Sequence, residues 1–367
     1  MAEPSNQRDA RLVRSLCRWF AKAARDLPWR EVGPDGRRDA YRSLVSEIML
    51  QQTQVSRVLE KFEPFLERFP TLEALANADE DEVLTMWSGL GYYRRARSLH
   101  ACARQAVERF GGLPERASDL ETLTGLGRYT AGAIASIVHH EPVSIVDGNV
   151  ERVLLRLEGK PLQAGQTKTR NWCWGRSAEL VKKAEGSRSV GVGVAGFNEG
   201  LMELGAVVCT PKSPDCGACP VRMHCRAWRM GKQDAIPLPK SRTTKKPLFL
   251  ACLFVQNPDG LVLLEQRPKG GLWGGLWQVP TLESDTRVSK ARVAEYFGVA
   301  TTDLFGHTPF THETTHRSVR VAVYGSRRIP TVTTDGRWIE PAGFGELALG
   351  SLQRRVLESG PTARAQV

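Results

Sequence analysis

The chain has 367 residues, 41% hydrophobic and 25% charged, which fits a folded protein of two or three domains and excludes wholesale disorder. No apolar run approaches the ~20 residues that span a bilayer, and the first residues lack the apolar stretch of a secretory leader, so a cytoplasmic setting without a membrane partner is expected. The net charge of +11 is concentrated in residues 212–246, which hold nine basic and two acidic side chains; a polyanion such as nucleic acid suits that belt, and so does a solvated linker.

The predicted elements begin with a helix over 11–24, where Leu12, Val13, Leu16, Trp19 and Phe20 recur at helical spacing and Leu27-Pro28-Trp29-Arg30 ends the pattern. A single helix over 41–62 follows, with Leu44, Val45, Ile48, Val55, Leu59 and Phe62 on one face. Short helices are expected over 72–78, 80–87, 94–110, 130–138 and 149–157. Residues 231–247 contain three prolines and no apolar period, the pattern of a linker. Beyond it the period changes to strands over 248–255, 261–267 and 318–324 with one helix over 288–297, a small α/β domain.

Four motifs carry chemistry. Cys209, Cys216, Cys219 and Cys225 supply four thiolates from one proline-stiffened loop. In a cytosolic chain such a group points to tetrahedral zinc or a [4Fe–4S] cluster, and spacing alone does not separate the two. Arg222, Arg226 and Arg229 make the same loop a basic knob suited to DNA phosphate. In Leu123-Thr124-Gly125-Leu126-Gly127-Arg128-Tyr129 two glycines make a tight turn before a helix, whose exposed N–H groups can hold a phosphate; many such turns do nothing more. Asp147 precedes a helix, either as an ordinary N-cap or as a carboxylate facing a sugar that develops positive charge. Glu47 lies among Leu44, Val45, Ile48 and Leu50, either on the wet side of an amphipathic helix or buried and protonated as a general acid. Gln51, Gln52 and Gln54 after it are able to reach base edges.

Together these pieces resemble the endonuclease III superfamily of DNA glycosylases. Within it, Leu27-Pro28-Trp29-Arg30, the run Ser46-Glu47 through Gln52-Thr53, Gly89-Leu90-Gly91-Tyr92-Tyr93, Val146-Asp147-Gly148-Asn149-Val150 and Phe197-Asn198-Glu199 are similar to the adenine DNA glycosylases of the MutY type. The resemblance implies a mainly α, two-lobed helix–hairpin–helix domain with an iron–sulfur loop over 8–230, a basic linker over 231–247 and a Nudix-like lesion-recognition domain over 248–360. It implies a [4Fe–4S] cluster on Cys209, Cys216, Cys219 and Cys225, and a monomer acting on duplex DNA with adenine opposite 8-oxoguanine or guanine, in a bacterial cytoplasm at the nucleoid. Glu47 would protonate the adenine ring, and Asp147 would stabilise the cationic sugar. Tyr129 and Asn149 would orient them, and Arg30, Leu50 and Glu199 would line the base pocket. Gln51, Gln52, Thr53, Leu90, Tyr92, Gly125, Gly127 and Arg128 would contact DNA; the alternative for Tyr92, a core aromatic at a helix cap, is disfavoured by the whole motif.

Tyr129 stands where the bifunctional glycosylase/lyases carry a Schiff-base lysine, so hydrolysis without strand cleavage is expected. This disfavours a thymine-damage glycosylase/lyase, and intact Glu47 and Asp147 disfavour an idle DNA- or metal-binding scaffold. The C-terminal resemblance rests on the run Leu272–280 and residues 291–299; Thr281, Arg292 and Tyr296 take acidic Nudix positions, leaving Glu295, so pyrophosphatase activity is not expected. Lesion reading would fall to Thr315 and His316, where Thr314 replaces the family's aromatic residue and a weaker preference for the lesion is expected.

Overall fold

The computed structural model describes residues 5–34, 36–187, 193–239, 244–331 and 336–361. The chain divides into two packing units, Met1–Asn77 with Ser98–Ser241, and Ala78–Arg97 with Arg242–Val367.

In the first unit α1 (Ser5–Ala23) buries Leu12, Val13 and Leu16. The helix expected over 41–62 is two, α2 (Ala40–Leu50) and α3 (Val55–Arg68). Asp39 starts α2 by accepting from the Arg42 amide at 2.7 Å. The break is local: Gln52 turns into the left-handed region at φ 58°, which no helix can continue through. α4 (Leu72–Asn77) follows, then α5 (Glu80–Met86) within the second unit, and α6 (Arg94–Phe110) leads back into the first. The hairpin runs from α7 (Ala117–Leu120) to α8 (Arg128–Ile137). At its turn Gly125 has φ +83°, and a Cβ there would lie 2.5 Å from that of Ser98, so the turn admits only glycine. Next come α9 (Gly148–Leu157), the unforeseen α10 (Thr167–Glu185) and α11 (Val194–Val207), and the single turn α12 (Arg226–Arg229).

The core of this unit joins α1, α9, α10 and α11 through Leu16, Val153, Leu154, Leu180, Phe197 and Leu201. A buried ion network closes its edge: Arg176 binds Asp9 at 2.6 Å and Glu158 at 2.8 Å, and Arg8 binds Glu158 at 2.9 Å. The expected linker is ordered at its start. Ile236 is buried in the core, and the Leu238 amide donates to the Leu162 carbonyl at 3.0 Å. Residues 240–243 of that stretch lie outside the described residues.

The second unit holds β1 (Lys246–Val255), β2 (Val262–Gln266), β3 (Trp277–Gln278), β4 (Thr281–Ser284), α13 (Lys290–Phe297), β5 (Leu304–Glu313), β6 (Arg317–Ser326), β7 (Arg337–Ile339) and α14 (Ser351–Glu358). One sheet has the order β4-β1-β6-β5, with β1 and β6 parallel; the other has the order β3-β2-β7. The apolar run of β1 is buried on both faces, which suits a central strand. Ala78–Arg97, from within the segment expected over 8–230, packs in this unit. Tyr93 donates its hydroxyl to the Leu349 carbonyl at 3.0 Å, Arg354 donates to Ser88 Oγ at 2.9 Å, and Arg97 to the Gly274 carbonyl at 2.6 Å.

Candidate active site

A cavity of about 1050 Å³ in the first unit gathers Arg30, Glu47, Leu50, Gln51, Gln52, Thr53, Arg128, Tyr129, Asp147, Asn149 and Glu199. All were singled out from sequence. α2 buries Leu44, Val45, Ile48 and Met49, which leaves the next position round the helix, Glu47, facing the cavity. Both sequence alternatives for Glu47 are therefore half right. Its side chain is half-buried and lines the cavity. That burial pushes its pKa up to about 7; a hydrogen bond with Tyr129 opposes the rise, and the negative charges of Asp147 and Glu199 add to it. Burial likewise carries the Tyr129 phenol well above its ordinary value, helped by the charges of Glu47 and Asp147, so it stays a neutral donor. The Tyr129 hydroxyl also lies 3.1 Å from the Met202 sulfur.

Asp147 is both N-cap and cavity residue. One carboxylate oxygen accepts from the Val150 amide at 2.7 Å and the other from Asn149 Nδ2 at 2.9 Å. Burial raises its pKa, while those two bonds and the Arg152 charge favour the anion. A carboxyl able to hold a proton near neutrality, facing a second one held by donors, is a pair suited to acid-assisted cleavage of a glycosidic bond.

One wall of the cavity carries charges in alternation. Glu203 accepts from Arg25 at 2.7 and 2.9 Å and from Arg30 at 2.9 Å; Glu199 lies 3.4 Å from Arg30 and accepts from Arg38 at 2.7 Å. Arg25, Arg38 and Glu203 were not foreseen. The available signal was two glutamates one helical turn apart, Glu199 and Glu203, in an otherwise apolar stretch.

The four cysteines line one pocket of the same unit, with Arg156 and Pro214. Burial lifts the Cys219 thiol to about 12, and the neighbouring Cys209, Cys225 and Cys216 push it up as well. Among the described residues, no three His, Cys, Asp or Glu side chains take up a single-ion arrangement. Two arginines of α9, also unforeseen, hold this loop, and Arg152 also lines the cavity. Arg156 donates to Cys209 Sγ at 3.3 Å and to the Thr210 carbonyl at 2.7 Å. Arg152 spans the Cys209 carbonyl at 2.8 Å, the Gly205 carbonyl at 2.7 Å and Asn149 Oδ1 at 2.9 Å.

Gly125 and Gly127 sit exposed at the hairpin turn, and Arg128 stacks 4.0 Å over the Trp174 ring. The remaining predicted residues belong to the second unit. Tyr92 is exposed at φ 48° and its hydroxyl hydrogen-bonds that of Thr315, next to the exposed His316. Thr314 does not point outward as a reader: its hydroxyl bonds the Arg317 carbonyl at 3.1 Å and accepts from its amide at 2.9 Å, closing the β5–β6 turn. Leu90 is 5% exposed, so its side chain is core.

Residues 45–177 match the HhH-GPD superfamily base excision DNA repair proteins, and residues 251–359 match the NUDIX domain. Among solved structures, a thermostable thymine-DNA glycosylase aligns at a TM-score of 0.54 and 24% identity over 62% of this chain and 100% of its own. The endonuclease III of a non-covalent DNA complex aligns at 0.50 and 19% over 62% and 99%. Fold and site thus define a helix–hairpin–helix base-excision-repair glycosylase with a Nudix domain. The human adenine DNA glycosylase is 33% identical over 93% of this chain and 72% of its own length, and that of Mycolicibacterium smegmatis 41% identical over 58% and 68%. The chain belongs to the adenine DNA glycosylase family.

Proposed function

We propose that the chain is a monofunctional glycosylase that removes adenine opposite 8-oxoguanine or guanine in duplex DNA, acting as a monomer on the chromosome of a bacterial cytoplasm. The observation that carries this reading is Glu47, a cavity carboxyl whose pKa is raised to about 7 and which faces Tyr129 and Asp147. The target adenine is extruded into the cavity. Protonated Glu47 donates to an adenine ring nitrogen, the bond from sugar to base breaks with its electron pair going to the base, and positive charge develops on the sugar. The Asp147 carboxylate stabilises that charge, and Glu47, now a carboxylate, accepts a proton from the attacking water. Tyr129 lacks an amine and forms no Schiff base, so the product is an intact strand with an abasic site.

The opposite base is assigned to the second unit, where Tyr92, Thr315 and His316 share one exposed edge. With Thr314 turned into the hairpin, the loop presents a hydroxyl without the family's aromatic contact, which supports a modest preference for the lesion. A [4Fe–4S] cluster is assigned to Cys209, Cys216, Cys219 and Cys225. Four soft donors around one pocket suit zinc or a cluster, and the likeness to the endonuclease III superfamily favours the cluster. When bound it would brace the loop held by Arg156 and Arg152.

The test is a duplex with adenine opposite 8-oxoguanine, or opposite guanine, incubated with the protein and resolved with and without alkali. Strand scission only after alkali, faster opposite 8-oxoguanine, is expected; scission without alkali would make the protein a lyase, and equal rates would remove the lesion preference. Absorbance of the purified protein at roughly 400 nm reports an iron–sulfur cluster, and a colourless zinc protein would contradict that assignment.

A further inference from the structure

The wall of alternating charges has a centre. Glu203 is 1% exposed, and three donors converge on its carboxylate: the Arg25 amide at 3.1 Å, the Arg25 guanidinium at 2.7 and 2.9 Å, and the Arg30 guanidinium at 2.9 Å. We propose that Glu203 is a positioning residue of the base pocket, fixing Arg25 and Arg30 on the cavity wall and taking up charge that Arg30 would otherwise direct at Glu47. The proposal rests on the adenine-excision reading.

Position and charge both support it. α11 places Glu199 and Glu203 one turn apart on the cavity side, so both carboxylates reach the Arg30 guanidinium. The Arg30 guanidinium donates to the Arg25 carbonyl at 3.0 Å as well, which leaves the segment before α2 pinned by Glu203 at two arginines. Burial works against the Glu203 charge, yet the bonds from Arg25 and Arg30 pull its pKa down to about 2, so it is an anion throughout the working pH range.

The groups facing Glu47 are Tyr129 from α8, Asp147 at the start of α9, Glu199 from α11 and Arg30 from the Pro28–Arg30 turn. Arg38 partly offsets Glu199, and Arg152 partly offsets Asp147. Arg30 is the one cation among the four direct neighbours, and it favours the Glu47 anion. Glu203 shares that cation. Without it, Arg30 would keep only Glu199 as a counter-charge, and Glu47 would lose its proton at lower pH.

The test measures single-turnover adenine release across pH either side of neutrality for the wild type, Glu203→Gln and Glu203→Asp. The active form of Glu47 is protonated, so rate falls as pH rises through its pKa. Glu203→Gln should lower the rate at least tenfold and move that descending limb about one unit to lower pH, the size expected when a nearby charge loses its compensation. Glu203→Asp should return the limb to the wild-type position. An unmoved limb in folded Glu203→Gln overturns the proposal, since a fold defect alone lowers the rate without shifting it.

Should Glu203→Gln fail to fold, Arg25→Gln asks the same question with opposite sign. It leaves the whole Glu203 charge on Arg30 and keeps the backbone bond, so the limb should move to higher pH; a limb that stays or moves lower overturns the proposal. A wild type that releases no adenine defeats the functional reading itself, whereas active wild type with unshifted variants defeats only the role of Glu203.

Discussion

Glu47 and Asp147 are each asked to serve two ends, and the two can be separated experimentally. Asp147 caps α9 through the Val150 amide and faces the cavity with the same carboxylate. Asparagine caps a helix about as well as aspartate but carries no charge. Asp147→Asn should therefore keep its thermal midpoint within a few degrees of the wild type while adenine release falls by orders of magnitude; parallel loss of both would reduce Asp147 to a structural cap. Glu47 links proton binding to folding. Its folded pKa of about 7 lies above the unfolded 4.5, so its proton favours the fold fully below pH 4.5, and that contribution is lost as pH rises through 7. Glu47→Gln removes the penalty, so denaturant unfolding above pH 7 should show the variant more stable than the wild type, with the difference vanishing in acid. Equal stability at both ends would mean the carboxyl is not desolvated.

At the scale of elements, the helices with a clean apolar stripe were legible, and those built by close approach were not. α1, α6 and α9 followed from their spacing of Leu, Val and Ala. α11 did not, and glycine is a poor helix former. Two of its glycines meet a need visible only in three dimensions: a Cβ at Gly200 would meet Leu16 at 3.1 Å, and one at Gly205 would meet the Asn149 Cβ at 2.6 Å. Glu47 and Asp147 stood out because each broke a local pattern, Glu47 an apolar face and Asp147 the approach to a helix. Arg25, Arg38, Arg152 and Arg156 carried no such mark, since their partners lie far away in the chain. Gly205→Ala should push α11 from the start of α9, cost about 1–3 kcal/mol of stability and slow adenine release through Asn149. Wild-type stability and rate together would show that the two helices yield freely.

Across the whole molecule, much of the basic excess has an address in the first unit. Arg222 lines the cysteine pocket and lies 5.2 Å over the Trp228 ring, and Arg226 is 3.6 Å from Glu158, a weak pairing at its exposed end. The part of the belt after Gly231 is less of a linker than its composition suggested, because Ile236 is core. Neutralising Arg222, Arg226 and Arg229 should weaken duplex binding and reduce the slope of log affinity against log salt by about 0.9 for each phosphate no longer neutralised. An unchanged slope would place the DNA elsewhere. The division into units also sets apart two sites: the cavity proposed for base removal is lined by the first unit, while Tyr92 and Thr315 meet within the second.

The most direct test of adenine excision by Glu47 is the free base released from one duplex, with adenine opposite 8-oxoguanine, by the wild type and by Glu47→Gln side by side. The wild type should release adenine in step with abasic sites, and the variant should be slower by about a hundred- to ten-thousandfold, the usual contribution of a general acid. Full activity in the variant, or no adenine from the wild type, would contradict it.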